Sequence, residues 1–418
     1  MVTRTRGLSR ARLLLRVSLI VACGTGSAAC AALFGFERLS EGEPEGGTAS
    51  EASTEAGDAP EPEAGPSCTD LGVPNRPAAG EGGADAGPDA PGTIHMAMRM
   101  VDFGIDTTAK ADGFNLDRAC SPTVTTSTCT TQIDEETFNK YGRDKDDKGL
   151  DNAGFELIAY LARLGDAFAP VEINKRLQNG EFGAVIRLAD WNGTNEDDSV
   201  IVEVFPAIGV WDVDSGAPQA GGKPVFTSSD LWMRDNRFKN VVDTSIFTSA
   251  NAWVTGGRLV ASFQKLTIPV TLPGDLKPVD IILSEAFVSG SLVQDGTSWK
   301  LEKTVLGGRW RTLDLLNQVR TIYVKDTAGL KNVYLCDPGV PIYAPVKKQV
   351  CDGRDLRSAS REDSMNMPCD AVSAGVKIET YAVDMPGPFA DLPAAATAMR
   401  CEKDGSVPLN DDCDPASP

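Results

Sequence analysis

The feature that most constrains this chain is the composition of residues 40–92, which contain almost no side chains able to form a hydrophobic core. They consist mainly of Glu, Gly, Ala, Pro, Ser, Thr and Asp. Such a segment cannot bury enough apolar surface to offset the conformational entropy lost on folding. We therefore expect residues 30–92 to be a disordered acidic linker, and the folded part of the chain to begin near residue 93.

The N-terminus before this linker has the pattern of a secretory signal peptide. Five arginines and no acidic residue precede Val17. Residues 17–29 then form a short apolar stretch that ends in small side chains, which is the order typical of signal peptides. The stretch is shorter than the roughly 20 residues of a membrane-spanning helix. We therefore predict a cleaved signal peptide over residues 1–29.

A cysteine at the end of this segment resembles the lipobox of bacterial lipoproteins, in which the thiol is acylated and becomes the new N-terminus. Residues 20–23 fit the consensus better, whereas Cys30 leaves an apolar stretch of ordinary length. Cleavage before Cys30 also leaves eight other cysteines, the even number expected of a disulfide framework in an oxidising compartment. We predict lipidation of Cys30, with Cys23 as the alternative and secretion without a lipid as a third interpretation. Ala31, in place of Asp, favours delivery to the outer membrane or cell surface.

The charge balance and the histidine count exclude several classes of function. The chain has 40 Lys and Arg against 59 Asp and Glu, a formal net charge of −19, which argues against a nucleic-acid partner. The single histidine, His95, cannot form a multi-histidine zinc site and argues against Ser-His-Asp chemistry. The sequence also lacks His-Glu-x-x-His, Gly-x-Ser-x-Gly and a phosphate-binding loop. We expect His95 to be a structural residue of the first strand.

From residue 93 onward, the apolar pattern predicts strands separated by turns. The predicted strands lie within 94–105, 182–189, 199–205, 252–263, 279–293 and 298–306. Gly256-Gly257 and Asp295-Gly296 lie between apolar runs and predict short hairpins. Helical spacing predicts helices over 153–164 and 309–319, and 175–180 is predicted as a short turn. The fold class is therefore mainly β, a β-sandwich or jelly-roll-like domain with one or two helices.

The cysteines divide the folded part into two regions. Residues 93–335 are predicted to form the β-sandwich-like domain, and 336–418 a cysteine-rich C-terminal extension packed on the same domain. Cys120 and Cys129 are close together in a loop rich in Ser and Thr, and we predict that they pair with each other. The remaining cysteines pair in an order that the sequence leaves open: Cys68, Cys336, Cys351, Cys369, Cys401 and Cys413. We expect Cys68 to attach the end of the linker to the domain.

Residues 144–152, before the first predicted helix, carry oxygen-bearing side chains around Gly149. The candidate metal ligands are Asp144, Asp146, Asp147, Asp151 and Asn152. Calcium takes about six to eight hard oxygen ligands from a flexible loop, which such a segment can supply. The segment is not an EF-hand, because Lys148 occupies a ligand position and the twelfth place lacks Glu. The alternative is a solvated turn in which Asp151 or Asn152 caps the helix.

Several short motifs resemble a family of uncharacterised secreted lipoproteins of myxobacteria. They are the start at 30–39 followed by an acidic linker, Gly149-Leu-Asp-Asn-Ala153, Asn179-Gly-Glu-Phe-Gly183, Gly308-Arg-Trp310 and Cys369-Asp-Ala-Val-Ser-Ala-Gly375. The resemblance extends over most of residues 93–401. It implies an extracytoplasmic location and no particular activity.

These observations lead to one leading hypothesis and one alternative. We expect a lipid-anchored protein of the cell envelope or surface that acts as a binding or structural module. Its ligand would be a carbohydrate or an envelope protein, and calcium would be a structural ion. The alternative is a secreted polysaccharide hydrolase that uses paired carboxylates, which an acidic chain can supply.

Overall fold

The computed structural model describes residues 71–79, 92–104, 112–120, 127–131, 133–140, 149–164, 169–211, 222–242, 244–271, 279–320, 322–325, 332–337, 340–390 and 412–413. All of them belong to a unit that spans Glu63–Pro418. Within these residues, none of the helices is long and apolar enough to cross a membrane.

Strands account for most of the regular secondary structure among the described residues, and they form one large sheet and two small ones. The strands are β1 (Ile94–Asp102), β2 (Cys129–Thr130), β3 (Gly183–Ala189), β4 (Asp197–Val210), β5 (Trp232–Asp235), β6 (Thr248–Thr255), β7 (Arg258–Val270), β8 (Val279–Asp295), β9 (Ser298–Arg311), β10 (Tyr323–Lys325), β11 (Asn332–Tyr334), β12 (Ser364–Pro368), β13 (Ala371–Val383) and β14 (Phe389–Ala390). The two small sheets pair β10 with β11 and β12 with β2.

The large sheet has ten strands in the order β14-β5-β4-β3-β1-β13-β9-β8-β7-β6, and it closes on itself because β4 also pairs with β6. The length of β4 makes this closure possible. Residues 201–207 pair with β3 on one edge, while the other edge pairs with β6 through 197–203 and with β5 through 207–210. Eight antiparallel strands therefore enclose the interior, and β5 and β14 extend the sheet from β4.

The interior is filled by side chains from alternate positions of these strands, as expected where one face of a sheet is buried. Met96, Leu188, Val202, Leu266 and Val288 are fully or almost fully buried and belong to one large apolar cluster. The opposite face of β1 and its neighbours carries a second, smaller cluster that includes the fully buried Trp232. Both faces of the sheet are therefore covered in this region.

Five α-helices are present in the described residues, and most of them pack against the sheet. They are α1 (Glu135–Lys140), α2 (Gly154–Leu164), α3 (Pro170–Gln178), α4 (Thr312–Val319) and α5 (Tyr343–Asp352). α2 contacts β13, α3 contacts β1, and α4 contacts β8, β9 and α5. Three helices therefore lie over one region of the closed sheet.

The mainly β class predicted from the sequence is confirmed, and the layers that face each other across the core belong to one closed sheet. The predicted hairpin at Gly256 and Gly257 is also confirmed. These residues have φ values of 57° and 72°, and they connect β6 to β7. Glycine adopts positive φ without steric cost, so this pair suits a two-residue hairpin turn.

The helices differ from the sequence prediction in number and bounds. α2 agrees with the predicted 153–164, whereas α4 begins at Thr312 because residues 309–311 complete β9. The turn predicted over 175–180 is present only at Asn179 and Gly180, and the prediction is wrong for 175–178, since α3 extends through Gln178. Only Ile173 and Leu177 of this helix are buried, so its apolar periodicity is too short to be recognised.

Residues 71–79, which composition assigned to the linker, lie against the folded domain. Leu71 and Val73 pack on a small apolar cluster that includes Phe114. Trp253 Nε1 donates a hydrogen bond to the carbonyl oxygen of Pro74, at 3.1 Å, and the guanidinium of Arg76 lies 5.2 Å from the centre of the Trp253 ring. Apolar contacts, hydrogen bonds and a cation–π contact thus hold this part of the predicted linker on the sheet.

The predicted Cys120–Cys129 disulfide is wrong. Cys129 instead bonds Cys369, which lies 240 residues away along the chain. The parallel pairing of β2 with β12 explains this partner, because it brings Cys129 beside the residue that follows β12. A second disulfide joins Cys351 to Cys413, and Cys120 and Cys336 are also disulfide-bonded.

Candidate functional site

The structure describes two of the five residues predicted to bind a metal ion, Asp151 and Asn152. Both form hydrogen bonds to the backbone. Asp144, Asp146 and Asp147 lie outside the described residues. Asp151 Oδ2 accepts hydrogen bonds from the backbone N–H groups of Leu116, at 2.6 Å, and Asp117, at 3.3 Å. This carboxylate therefore holds the 112–120 segment next to the start of α2.

Asn152 caps α2, as the alternative interpretation of this segment predicted. Its Oδ1 accepts from the backbone N–H of Phe155 in the first turn and from that of Gly375 in β13, each at 3.1 Å. Its Nδ2 donates to the carbonyl oxygens of Asp112 and Gly375. In the described part of the chain, no group of three His, Cys, Asp or Glu side chains could hold a metal ion. The calcium site stays a prediction.

The predicted lipidation residues also lie outside the described part of the chain. These are Cys30 and its alternative Cys23. Cys68 and Cys401, which were predicted to form disulfides, also lie outside the described residues. The lipid anchor therefore stays a prediction.

The structure brings together a set of polar residues that the sequence did not indicate as a site. They line an open groove of about 540 Å³ over β7 and β8. Its lining residues are Leu71, Leu116, Asp117, Arg118, Ser262, Phe263, Gln264, Glu285, Phe287, Ser360 and Asp363. Pockets that combine apolar walls with a few polar groups are the usual form of a binding site. We refer to this pocket as the carboxylate groove, because Asp117, Glu285 and Asp363 supply three carboxylates to it.

The surroundings of Asp117 shift the pKa of its carboxyl group. Burial raises its pKa, and the nearby charge of Asp363 acts in the same direction. Hydrogen bonds from Thr128 Oγ1 to Oδ2, at 2.7 Å, and from the Ala119 N–H to Oδ1, at 3.0 Å, partly oppose this. A carboxyl group with a raised pKa in a cleft is a candidate for binding or acid–base chemistry.

Arg309 lies fully buried beneath the groove and organises it. Its Nη1 and Nη2 donate to Oδ1 and Oδ2 of Asp363, at 2.8 and 2.7 Å. The same two nitrogens donate to the carbonyl oxygens of Arg357, at 2.8 Å, and Leu116, at 2.7 Å. Burial lowers the pKa of Arg309, but the hydrogen bonds and charge of Asp363, with the charge of Glu285, outweigh it and raise the pKa. The guanidinium thus stays charged and ties together the loops around the groove.

Glu285 connects a third side of the groove to this network. Its Oε2 lies 3.2 Å from Arg309 Nε, and its carboxylate accepts hydrogen bonds from the N–H and the hydroxyl of Ser360. Glu285 and Arg118 have φ values of 45° and 56°, a left-handed conformation that side chains other than glycine rarely adopt. Such conformations persist where the surrounding structure enforces them, and they are enriched at functional sites.

An aromatic side chain supplies the apolar wall of the groove. Phe287 is half-buried, and its ring centre lies 5.7 Å from that of the buried Phe114. Gln264, on the neighbouring strand β7, is exposed at the groove's rim. The groove can therefore present an aromatic surface, amide and hydroxyl groups and carboxylate oxygens to one ligand.

Sequence reasoning missed this site because its residues come from five separate segments. Arg309 was the one accessible signal, since a charged residue between Gly308 and Trp310 is unusual in an otherwise apolar run. The spacing of apolar residues instead placed Arg309 at the start of the predicted helix 309–319. A charged side chain at such a position can be exposed to solvent and needs no partner.

Protein-family models, curated proteins and solved structures were compared with this chain, and none of them matches it. The resemblance to the myxobacterial lipoproteins therefore stays a prediction that rests on short motifs.

The single histidine lies away from the carboxylate groove, on β1. Burial, together with the positive charges of Arg187 and Arg234, lowers the pKa of His95 to about 4. Its Nδ1 is buried and has no hydrogen-bond partner among the described residues. These properties keep the imidazole neutral at neutral pH.

Proposed function

We propose that this chain is a binding protein of the cell envelope that holds a carbohydrate in the carboxylate groove. The observation that carries the proposal is the half-buried aromatic ring of Phe287 beside the carboxylate of Asp117 and the exposed amide of Gln264. A sugar ring has an apolar face that packs on an aromatic ring, and hydroxyl groups that donate to carboxylates. Hydrogen bonds to charged acceptors are the stronger kind.

The charge of the groove favours a neutral or basic carbohydrate. Three carboxylates and Arg118 line it, and the buried Arg309 pairs with two of the carboxylates, Glu285 and Asp363. Carboxylates still outnumber the cations around the groove, which agrees with the expectation that nucleic acid is not a ligand. If the binding experiments detect no ligand, a purely structural role in the cell envelope is the remaining alternative.

We also propose that the protein reaches the outer membrane or cell surface through a lipid on Cys30, as the sequence pattern indicates. The test is metabolic labelling of the producing cells with a palmitate analogue, followed by purification of the protein. Label should be present in the natural protein and in Cys23→Ser, and absent from Cys30→Ser. Label lost from Cys23→Ser and retained in Cys30→Ser would assign the alternative cysteine, and an unlabelled natural protein would contradict the anchor.

The structural calcium ion is a separate part of the proposal. Asp144, Asp146 and Asp147 are its candidate ligands, because Asp151 and Asn152 already serve the backbone. Calcium should raise the melting temperature of the full-length protein, and a chelator should reverse the increase. An unchanged melting temperature would remove calcium from the proposal and leave the carbohydrate groove unaffected.

The carbohydrate proposal is tested with the full-length protein on a glycan array, followed by titration calorimetry with the strongest ligand. Gln264→Ala and Phe287→Ala should each reduce affinity at least tenfold, because they remove a polar and an aromatic contact. Lys265→Ala is the matched control, since it changes an exposed neighbour on β7 that does not line the groove. Absence of any array signal, or equal losses in the groove variants and the control, would contradict the proposal.

The raised pKa of Asp117 favours a second candidate function, hydrolysis of a polysaccharide. A glycosidase needs one protonated carboxyl group as acid and a second carboxylate as base or nucleophile. Asp117 has the environment of the acid, and Glu285 lines the same groove. Release of reducing ends from a polysaccharide, abolished in Asp117→Asn, would establish hydrolysis in place of simple binding.

A further inference from the structure

Residues 71–76, from the end of the predicted linker, reach the carboxylate groove, and we call this segment the strap. Leu71 lines the groove together with Leu116 and Phe287. Its carbonyl oxygen accepts a hydrogen bond from the backbone N–H of Asn115, at 3.1 Å, and its side chain packs on the apolar cluster that contains Leu116. The first residue of the strap is therefore part of the wall of the groove.

The other end of the strap lies on β6. Trp253 Nε1 donates a hydrogen bond to the carbonyl oxygen of Pro74, at 3.1 Å, and Thr255 Oγ1 donates to that of Asn75, at 2.9 Å. Neither Trp253 nor Thr255 lines the groove. These two hydrogen bonds therefore hold the strap at a place outside the groove.

A chain of hydrogen bonds connects this second end of the strap to the groove as well. Arg76 Nη2 donates to Asn251 Oδ1 on β6, at 3.0 Å. Asn251 Nδ2 in turn donates to Ser262 Oγ on β7, at 2.7 Å, and Ser262 lines the groove. The strap thus meets the groove directly through Leu71 and indirectly through Ser262.

Few contacts hold the strap on the domain. No helix or strand includes it, and none of its residues is fully buried. Leu71 and Val73 are its two side chains that pack on the apolar cluster, and both are only half-buried. Segments with few buried apolar contacts and exposed hydrogen bonds open locally at a low cost in free energy. We therefore expect the strap to detach and dock again while the rest of the domain stays folded.

A carbohydrate in the groove would favour the docked strap. A sugar ring that packs on Phe287 lies in the same groove as Leu71 and the hydroxyl group of Ser262. Detachment of the strap removes Leu71 from the lining and separates Arg76 from Asn251, so the docked state offers the sugar more contacts. A ligand shifts an equilibrium toward the state that it binds better. By linkage, docking raises the affinity by the same factor by which the ligand favours docking.

We propose that residues 71–76 are a detachable strap that completes the carboxylate groove, so that the docked strap and a bound carbohydrate stabilise each other. This inference rests on the proposed function, because it concerns the same site. It makes the end of the linker part of the ligand site. Occupancy of the groove then controls whether that end is attached to the domain.

The test follows the indole N–H of Trp253 in the full-length protein by NMR. Its acceptor is the carbonyl oxygen of Pro74, so exchange of this proton with deuterium requires the strap to detach. Trp253→Phe assigns the signal by removing it. The indole N–H of Trp191, which donates to the carbonyl oxygen of Thr194 at 2.9 Å, is the internal control, since this acceptor lies outside the strap.

The first comparison needs no carbohydrate. Leu71→Ala weakens the strap at the groove, and exchange at Trp253, at the opposite end, should become about fivefold faster or more because the strap opens as one unit. Val171→Ala, at an exposed position of α3, is the control variant and should leave this exchange unchanged. Unchanged exchange at Trp253 in Leu71→Ala overturns the proposal, whether or not a carbohydrate binds.

The second comparison adds a carbohydrate to the natural protein. Chitotriose and its deacetylated form supply a neutral and a basic oligosaccharide, and the oligosaccharide that binds most strongly on the glycan array is measured beside them. A saturating concentration of a carbohydrate that binds should slow exchange at Trp253 about tenfold or more. Exchange at Trp191 should stay the same, which shows that the effect is confined to the strap.

The outcomes separate this inference from the proposed function. Carbohydrate binding that Phe287→Ala weakens, with exchange at Trp253 unchanged or faster, supports the proposed function and overturns the coupling to the strap. If no carbohydrate binds, the proposed function and the coupling both fail, and Leu71→Ala still decides whether the strap opens as one unit. Slower exchange at Trp253 with Trp191 unchanged supports both.

Discussion

Arg309 and Asp363 form a two-pronged ion pair in which both guanidinium Nη atoms donate to the two carboxylate oxygens, at 2.8 and 2.7 Å. Arg309 belongs to β9, whereas Asp363 follows a 3-10 turn at Ser360–Glu362. Arg309 is fully buried, and Asp363 is only slightly exposed. This pair connects the closed sheet to the loop that borders the carboxylate groove.

Breaking this pair from one side should strongly destabilise the protein. Arg309→Met leaves the carboxylate of Asp363 without its partner, and removal of one member of a buried pair costs about 3–5 kcal/mol. The free energy of unfolding from urea denaturation measures this loss. The double variant Arg309→Met/Asp363→Leu should lose less, because it also removes Asp363, the more buried of the two carboxylates that lose Arg309 as partner. A double variant less stable than Arg309→Met would contradict this account of the pair.

Asp117→Asn should become more stabilising, relative to the natural protein, as the pH rises. Burial raises the pKa of Asp117 in the folded state, so folding favours its neutral form. The stability that this group contributes is fully present below its unfolded-state pKa and is lost as the pH rises through the folded-state pKa. Asparagine stays neutral and avoids the loss.

Melting temperatures of the two proteins between pH 3 and pH 7 measure this effect. Asp295→Asn, at the exposed β8–β9 turn, serves as the control for removal of a charge. If the difference in melting temperature between Asp117→Asn and the natural protein does not change with pH, the raised pKa of Asp117 is refuted.

His95 should make the protein less stable in mild acid. Its folded-state pKa is lowered from 6.5 to about 4, so the unfolded chain takes up a proton first as the pH falls. Stability is fully present above pH 6.5 and declines as the pH falls through the window between these values. Because the chain has a single histidine, a proton NMR titration can follow this imidazole without assignment.

The expected midpoint of that titration is near pH 4, and a midpoint near 6.5 would exclude the perturbed environment. His95→Gln should also flatten the decline in unfolding free energy between pH 7 and pH 5. An equally steep decline in that variant would assign the pH dependence to other groups.

The Cys129–Cys369 disulfide should contribute more to stability than the Cys351–Cys413 disulfide. Cross-links restrict the unfolded chain, and the effect grows with the length of the closed loop, with typical values of about 2–5 kcal/mol. The two bonds close 240 and 62 residues. Replacing each pair by alanines and measuring urea denaturation compares them directly. A larger loss from the 351–413 pair would point to native-state contacts, in place of chain restriction, as the source of stability.

The local sequence pattern was sufficient to predict those elements whose residues interact mainly with their near neighbours along the chain. The Gly256-Gly257 hairpin followed from the need for positive φ in a two-residue turn. α2 followed from apolar residues at helical spacing, and its cap at Asn152 from the preference for oxygen-bearing side chains before a helix. The mainly β class followed from alternation in several strands. In each case, the determining contacts span only a few residues.

The sequence by itself thus determined several of the strands, the short turn at Gly256-Gly257 and the lack of core material in the first part of the chain. It did not indicate β13, which lies between β1 and β9 in the sheet although its residues were assigned to the cysteine-rich C-terminal extension. Tertiary structure alone decided that β4 pairs with both β3 and β6, that Cys129 bonds Cys369, and that Arg309 is buried beside Asp363. The physical reason is the distance along the chain. Pairings between residues tens to hundreds of positions apart depend on how whole strands are ordered in the sheet, and local propensity carries no information about that order.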